Sequence, residues 1–321
     1  MKTLIYLFIG ALLGNCAIAQ DSTAPQWNAT IKVIDEDGQP ISGAHAVVGY
    51  YVSPTGGQDN INTVAGDNIS GLTAADGIFK ASHQDRSAFL NFVAEKEGYY
   101  TTRVEYTLGA PSQYDSAKWN PTVTLVLKKI GKPIAMYAKW VYSDPPIFKK
   151  TGQPPISFDE SIGYDLVVGD WVAPYGKGTN TDIIFGEQFD KKSVTDYYYK
   201  QTISFPNAGD GIQEFSVPDT EKGSDLRSPH EAPADGYESR LIRENYHHPG
   251  QVGESDYDEN RIYLFRMTLP DGLHYGKIYG DPIQMNFRYY LNPTPNDRNI
   301  EFDPKQNLSR GLKPFERVTS P

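Results

Sequence analysis

Apolar and polar residues alternate along much of this chain with a period of two. In Thr30-Ile31-Lys32-Val33 the apolar side chains take every second position, and Val123, Leu125 and Leu127 do the same further on. Strict alternation puts one side-chain set on each face of a pleated strand, so such runs predict half-buried strands. Strands are predicted over Ala44–Val52, Ile78–Ala81, Phe89–Ala94, Thr101–Leu108 and Thr122–Lys128 in the first half. In the second half they are predicted over Tyr164–Val172, Asp182–Phe185, Tyr197–Phe205, Ile262–Leu269, Pro282–Leu291 and Asn299–Phe302. One segment, Tyr237–Asn245, reads instead as a short helix.

Turn residues separate these runs. Asp35-Glu36-Asp37-Gly38 is a tight turn in which Gly38 supplies a positive φ, and Pro40 fixes φ at the entry to the return strand. Asp76-Gly77, Glu97-Gly98 and Asp271-Gly272 are further turns. Ser53–Ser70 is rich in Gly, Asn and Asp and reads as a long loop, as does the Pro- and Gly-rich Asp219–Gly236. Short strands punctuated in this way predict an all-β chain of sandwich type. The abundance of Tyr (22), Gly (29) and Pro (23) against 4 Met agrees with that class.

The 321 residues suggest two domains. Pro145-Pro146 and Pro154-Pro155 bracket a stiff stretch and place a connector over 131–155, whose Ile130–Tyr142 part has strand character, with one domain over 27–130 and a second, β-rich domain over 156–318. Residues 1–19 read as a signal peptide. Lys2 supplies the positive end, Leu4–Leu13 the apolar run and Ala17-Ile18-Ala19 the cleavage site, so the mature chain would begin at Gln20 in the periplasm or outside the cell. The apolar run falls short of the roughly 20 residues of a transmembrane segment. Cys16 is the only cysteine and lies within this leader; lipid anchoring there is the alternative processing route. A mature chain without cysteine has no disulfide, no thiol nucleophile and no thiolate zinc site. The formal net charge of −10 argues against nucleic acid as a partner, because that binding neutralises phosphates with Lys and Arg.

The segments IKVIDEDGQPISGAHAVV, TAADGIFKAS and FVAEKEGYYTTRVEY resemble the carboxypeptidase regulatory-like (transthyretin-like, prealbumin-like) module. The residues that carry the resemblance are Asp35, Gly38, Pro40, Ile41, Gly43 and Ala44, then Thr73, Asp76, Gly77 and Phe79, then Gly98 and Tyr99. The resemblance covers about residues 27–128. It implies a small β-sandwich and no activity, since such modules act as folding, spacer or docking units. The hydroxyisourate hydrolases share this topology but end in Tyr-Arg-Gly-Ser, whereas this chain ends FERVTSP.

Candidate chemistry is sparse. Asp256, Asp258 and Glu259 lie in a dense run of oxygen ligands that would suit calcium, although the order of an EF-hand loop is missing; a solvated acidic loop is the simpler reading. His247-His248 lacks metal-ligand spacing, its two rings would point apart, and the following Pro249-Gly250 place the pair in a surface turn. No G-x-S-x-G elbow or phosphate loop occurs, and no catalytic residue or cofactor is assigned. The aromatics remain: Trp171 and Tyr175 beside a Pro-Tyr-Gly loop, and Tyr197 and Tyr199 on one face of a strand. These four are candidates for a face that binds a glycan or another surface protein, weighed against ordinary core packing. The expectation is a non-enzymatic exported protein with a binding, adhesion or structural role. The alternative is a carbohydrate-active or other hydrolytic accessory protein using paired carboxylates in the second domain.

Overall fold

The computed structural model describes residues 26–52, 64–84, 89–108, 119–142, 155–250, 261–282 and 286–321. Residues 1–25, with Cys16 and the expected cleavage site, the Pro145-Pro146 pair and the acidic run with Asp256, Asp258 and Glu259 lie outside the described residues. The fold is all-β, and the described residues form four sheets.

Seven strands build the first sandwich: β1 Gln26–Ile34, β2 His45–Val52, β3 Val64–Leu72, β4 Ile78–Gln84, β5 Phe89–Glu95, β6 Thr102–Thr107 and β7 Thr122–Val126. One sheet has the order β4-β1-β7, with β1 antiparallel to β4 and parallel to β7. The other has the order β3-β2-β5-β6 and is antiparallel throughout. The period-two pattern of β1 sends Trp27, Ala29, Ile31 and Val33 into the core, where they meet Ala46 and Val48 of β2 and Leu90 and Phe92 of β5.

The two motif pieces in the sequence are neighbours in space. The Asp35 carboxylate accepts the N–H of Asp37 and of Gln39, closing the acidic turn. Thr73 Oγ1 donates to the Ile41 carbonyl at 2.6 Å and accepts the Ala44 N–H at 3.0 Å, which joins the second piece to the first. Gly77 has φ of +74°, and any Cβ there would collide with the Val33 carbonyl, so the turn admits glycine alone.

The second sandwich comprises β8 Ile134–Tyr142, β9 Ile156–Asp165, β10 Asp170–Trp171, β11 Ile183–Ser193, β12 Asp196–Ser204, β13 Gly211–Phe215, β14 Arg240–His247, β15 Ile262–Leu269, β16 Gly272–Asp281, β17 Asn286–Leu291 and β18 Phe302–Asn307. A five-stranded sheet, β10-β9-β11-β12-β14, packs on a six-stranded one, β13-β15-β16-β17-β8-β18. The six-stranded sheet is covered on both faces. Tyr263, Phe265, Ile278 and Tyr289 face the five-stranded sheet, while Ile262, Leu264, Tyr279 and Tyr290 face a second core closed by Ala232, Phe302 and Val318. Burial on both faces is why Ile262-Tyr263-Leu264-Phe265 is apolar without alternation.

The strand character expected of Ile130–Tyr142 is present as β8, an interior strand hydrogen-bonded to β17 and β18. Three sequence expectations are corrected. The expected helix at Tyr237–Asn245 is instead largely strand β14, whose exposure alternates residue by residue; among the described residues the only helical elements are two 3-10 turns, Asp219–Glu221 and Pro314–Glu316. Tyr164–Val172 is a hairpin, because the Asp165 carboxylate caps a turn by accepting the Val167 and Val168 N–H groups. The loop expected over Ser53–Ser70 gives way to β3 at Val64.

Candidate functional site

The register of the five-stranded sheet stacks its inner face in layers. Ile162, Phe185, Ile203 and Leu241 are aligned across β9, β11, β12 and β14 and belong to the core. Two residues further along, the aligned row is Glu160, Glu187, Gln201 and Arg243. The next row is Phe158, Phe189, Tyr199 and Asn245, and the last is Ile156, Lys191, Tyr197 and His247. An apolar floor thus gives way to a polar row and then to half-buried rings. Arg243 anchors the polar row to the opposing sheet, donating to the Asp281 carboxylate at 2.6 Å and to the Tyr263 hydroxyl at 2.6 Å.

The rings in the outer rows form a continuous run. Phe158 and Phe189 have centroids 5.6 Å apart, Phe189 and Tyr197 6.3 Å, Tyr197 and Tyr199 6.3 Å, and Tyr197 and His247 5.0 Å. The planes of Tyr199 and His247 lie within 18° and 23° of that of Tyr197. His248 takes the opposite face of the sheet, where its ring lies 4.3 Å from that of Tyr246. The Asn245 amide donates to the Tyr199 hydroxyl at 3.4 Å.

The four aromatic candidates do not form one patch. Tyr197 and Tyr199 lie together, aligned with the Ile156 end of β9. Trp171 pairs with Tyr164 at the other end, eight residues away, or about 27 Å at the rise of a strand. Trp171 is also buried, edge-on to Tyr164 and Phe185, so its role is core packing and the binding-face assignment is corrected. Tyr175 is 42% exposed beside the cis Ala173-Pro174 bond and stands apart from the ring run. Phe158, Phe189 and His247 were missed; period-two spacing puts each on the face of its core neighbours, but only register aligns them.

A second cluster joins the two sandwiches. His230 Nδ1 lies 2.6 Å from Glu301 Oε1, and its Nε2 lies 3.3 Å from Glu36 Oε2 on the β1–β2 turn. Glu301 is buried and also accepts the Gly131 and Lys132 N–H groups and, at 3.3 Å, the Tyr100 hydroxyl. The hydrogen bond to Glu301 leads in raising the His230 pKa above its ordinary value, aided by Glu36 and opposed by burial. Burial pushes the Glu301 carboxyl up, but the His230 contact and the two amides outweigh it and hold the group below the ordinary range.

Nearby, Lys128 pairs with Glu221 at 2.7 Å and donates to the Ser228 carbonyl at 3.2 Å. Lys277 is fully buried, donates to Ser228 Oγ at 3.0 Å and sits over the Tyr279 and Tyr290 rings. These side chains are enclosed and bonded to one another, which suits mortar between the sandwiches. Among the described residues no group of three or more His, Cys, Asp or Glu side chains is placed to hold a metal ion, and no helix is long and apolar enough to cross a membrane.

Neither a family model nor a curated protein matches this chain. Among solved structures, 3-chlorocatechol 1,2-dioxygenase from Rhodococcus opacus overlaps at 14% identity and a TM-score of 0.25, covering 34% of this chain and 62% of that one. Catechol 1,2-dioxygenase from Acinetobacter radioresistens overlaps at 12% identity and a TM-score of 0.24, covering 36% and 54%. A shaft pilin, spaA, from Lactobacillus rhamnosus GG overlaps at 14% identity and a TM-score of 0.24, covering 60% and 91%. The chain therefore spans less than two thirds of the length of those two dioxygenases. Overlaps at this level carry no activity from those proteins to this one.

Proposed function

We propose that this chain is an exported, non-enzymatic protein of the periplasm or cell exterior that binds a saccharide at the aromatic end of its second sandwich. The leader features of residues 1–19 support export, and the turn residues from Asp35 to Tyr99 support a carboxypeptidase regulatory-like module as the first domain. The observation that carries the binding role is the register of the five-stranded sheet, which sets Phe158, Phe189, Tyr197, Tyr199 and His247 beside the polar row of Glu160, Glu187, Gln201 and Arg243. Aromatic faces stack on the C–H faces of sugar rings, and neighbouring carboxylates and amides accept and donate hydroxyl hydrogen bonds. The seam around Glu301 and Lys277 supplies rigidity.

The test is a glycan array probed with the Gln20–Pro321 chain and with a Tyr197→Ala, Tyr199→Ala variant. Retention of a defined glycan class by the parent chain and its loss in the variant, at unchanged melting temperature, is the expected result. Retention of no glycan, or equal retention by both chains, refutes the saccharide site.

A second reading rests on Glu160 and Glu187, which face each other directly across β9 and β11. Opposed residues have Cβ atoms about 4.5–5.5 Å apart, and like charges so placed repel. Such a pair could serve a glycosidase. Turnover of a glycoside by the parent chain that disappears in Glu160→Gln and Glu187→Gln, with glycan retention intact, would favour hydrolysis over binding.

A further inference from the structure

The seam between the sandwiches contains an imidazole held between two carboxylates that belong to different domains. Glu36 sits on the β1–β2 turn of the first sandwich, while His230 and Glu301 come from the second. Both ring nitrogens face carboxylate oxygens, at 2.6 Å and 3.3 Å. A neutral imidazole has one N–H and one lone pair, so it satisfies one of these contacts and turns a lone pair towards the other carboxylate. Only the imidazolium donates to both. We propose that His230 is a proton-operated latch: doubly protonated it ties Glu36 to Glu301, and singly protonated it keeps Glu301 and releases Glu36.

The bond that survives is the shorter one, to a carboxylate that is buried and fixed by the Gly131 and Lys132 amides. The bond that is lost joins the two domains on a side where Glu36 is 35% exposed and, among the described residues, also accepts the Lys129 N–H at 3.3 Å. The ionisable groups facing the ring are Glu36 from the first sandwich and Glu301 from the second; Tyr100 of the first sandwich reaches Glu301, with Asp303, Tyr279, Lys277 and Lys128 beyond. Burial, then Glu301, raises Tyr100 out of the physiological range, and Glu301 stays ionised. Of the groups in direct contact in this cluster, the one whose protonation decides whether both carboxylates are bonded is His230, whose pKa is raised in the fold. A raised histidine pKa contributes stability that is complete below the unfolded value and is lost as pH rises through the folded value. The latch thus closes below the raised pKa of His230 and opens above it, while Arg103–Asp225 and Lys128–Glu221 continue to hold the domains together.

The experiment is a double-mutant cycle with Glu36→Gln and His230→Gln, measured by denaturant unfolding at pH 6 and pH 9, with the His230 ring titrated by NMR. The expected result is a coupling of about two- to five-fold in the unfolding equilibrium constant at pH 6 that vanishes at pH 9. The ring should titrate above the ordinary imidazole value, and Glu36→Gln should lower its midpoint. Equal coupling at both pH values, or a ring that titrates at or below the ordinary value, overturns the latch. Should His230→Gln fail to fold, the ring titration in the parent chain and in Glu36→Gln decides alone: an unshifted midpoint overturns the proposal.

Discussion

Thr102 and Ser224 are antiparallel bridge partners across the junction of the two sandwiches. The Arg103 N–H donates to the Gly223 carbonyl at 2.9 Å and the Asp225 N–H donates to the Thr101 carbonyl at 2.9 Å. Edge strand β6 of the first sandwich is thereby closed by chain from the second, which covers backbone groups that would otherwise template aggregation. The approach is so close that a Cβ at Gly223 would overlap the Arg103 carbonyl. Gly223→Ala should therefore cost about 1–3 kcal/mol through forced displacement of the paired backbone. Thermal unfolding of the variant checks this; an unchanged melting temperature would mean that the junction yields freely.

Trp171 and Tyr175 stand four residues apart in sequence but do different work. Trp171 is packed among Tyr164 and Phe185, so Trp171→Ala should destabilise the chain by about 3–5 kcal/mol through cavity formation. Tyr175 is exposed, and Tyr175→Ala should change stability by no more than about 0.5 kcal/mol. Because Tyr175 stands apart from Tyr197, the same variant should leave glycan retention untouched. Denaturant unfolding and the glycan array provide the two readouts.

The parts of the fold that depend on near neighbours were legible in the sequence. The β1 alternation and the Asp35–Gly38 turn act within a few residues, and both appear where their patterns put them. Tyr237–Asn245 misled because Leu241 and Ile242 are adjacent among charges, which mimics a helical stripe. In the fold the inner positions of β14 are Leu241, Arg243, Asn245 and His247, and Arg243 is tolerated inside because Asp281 and Tyr263, distant in sequence, receive it. The strand character of Ile130–Tyr142 was legible locally, but its place inside the six-stranded sheet was not, because the partners of β8, β17 and β18, lie more than a hundred residues on. The site follows the same rule. Tyr197 and Tyr199 could be paired by their spacing, whereas the contribution of Phe189 and Phe158 exists only through register. The Glu36–His230–Glu301 cluster, with sequence separations of 194 and 71, left no local signal at all.

Asp182 gives a pH dependence of its own. Burial pushes its carboxyl up to about 6, against the Leu166 N–H that it accepts, and Asp165 adds to the rise. Between the ordinary value of 3.8 and about 6 the unfolded chain is ionised while the folded chain keeps the proton. The folded state binds more protons there, so this group's contribution to stability falls as pH rises through the window. Asp182→Asn keeps a carbonyl acceptor for Leu166 and removes the titration. The variant should gain stability relative to the parent chain progressively from about pH 4 to pH 6 and hold that gain above it. Unfolding curves across the range check the prediction; a constant difference between the two chains would show that Asp182 ionises normally.

Lys277 provides the opposite slope. It is buried completely, with Ser228 Oγ as its hydrogen-bond acceptor and the Tyr279 and Tyr290 rings against its ammonium. Burial lowers its pKa below the ordinary lysine value. Between the lowered folded value and the ordinary one the unfolded chain binds the extra proton, so the parent chain gains stability as pH rises. Lys277→Met fills similar volume with no charge to desolvate, and replacing buried charge by well-packed apolar atoms is often neutral or stabilising. The variant should thus stand highest against the parent chain at neutral and lower pH, and its advantage should shrink as pH rises towards the ordinary lysine value. Calorimetric unfolding of both chains from pH 6 to pH 10 measures this difference directly. A variant that loses ground at neutral pH would instead assign Lys277 a net stabilising role, with the Ser228 hydrogen bond and the two ring faces outweighing the cost of its burial.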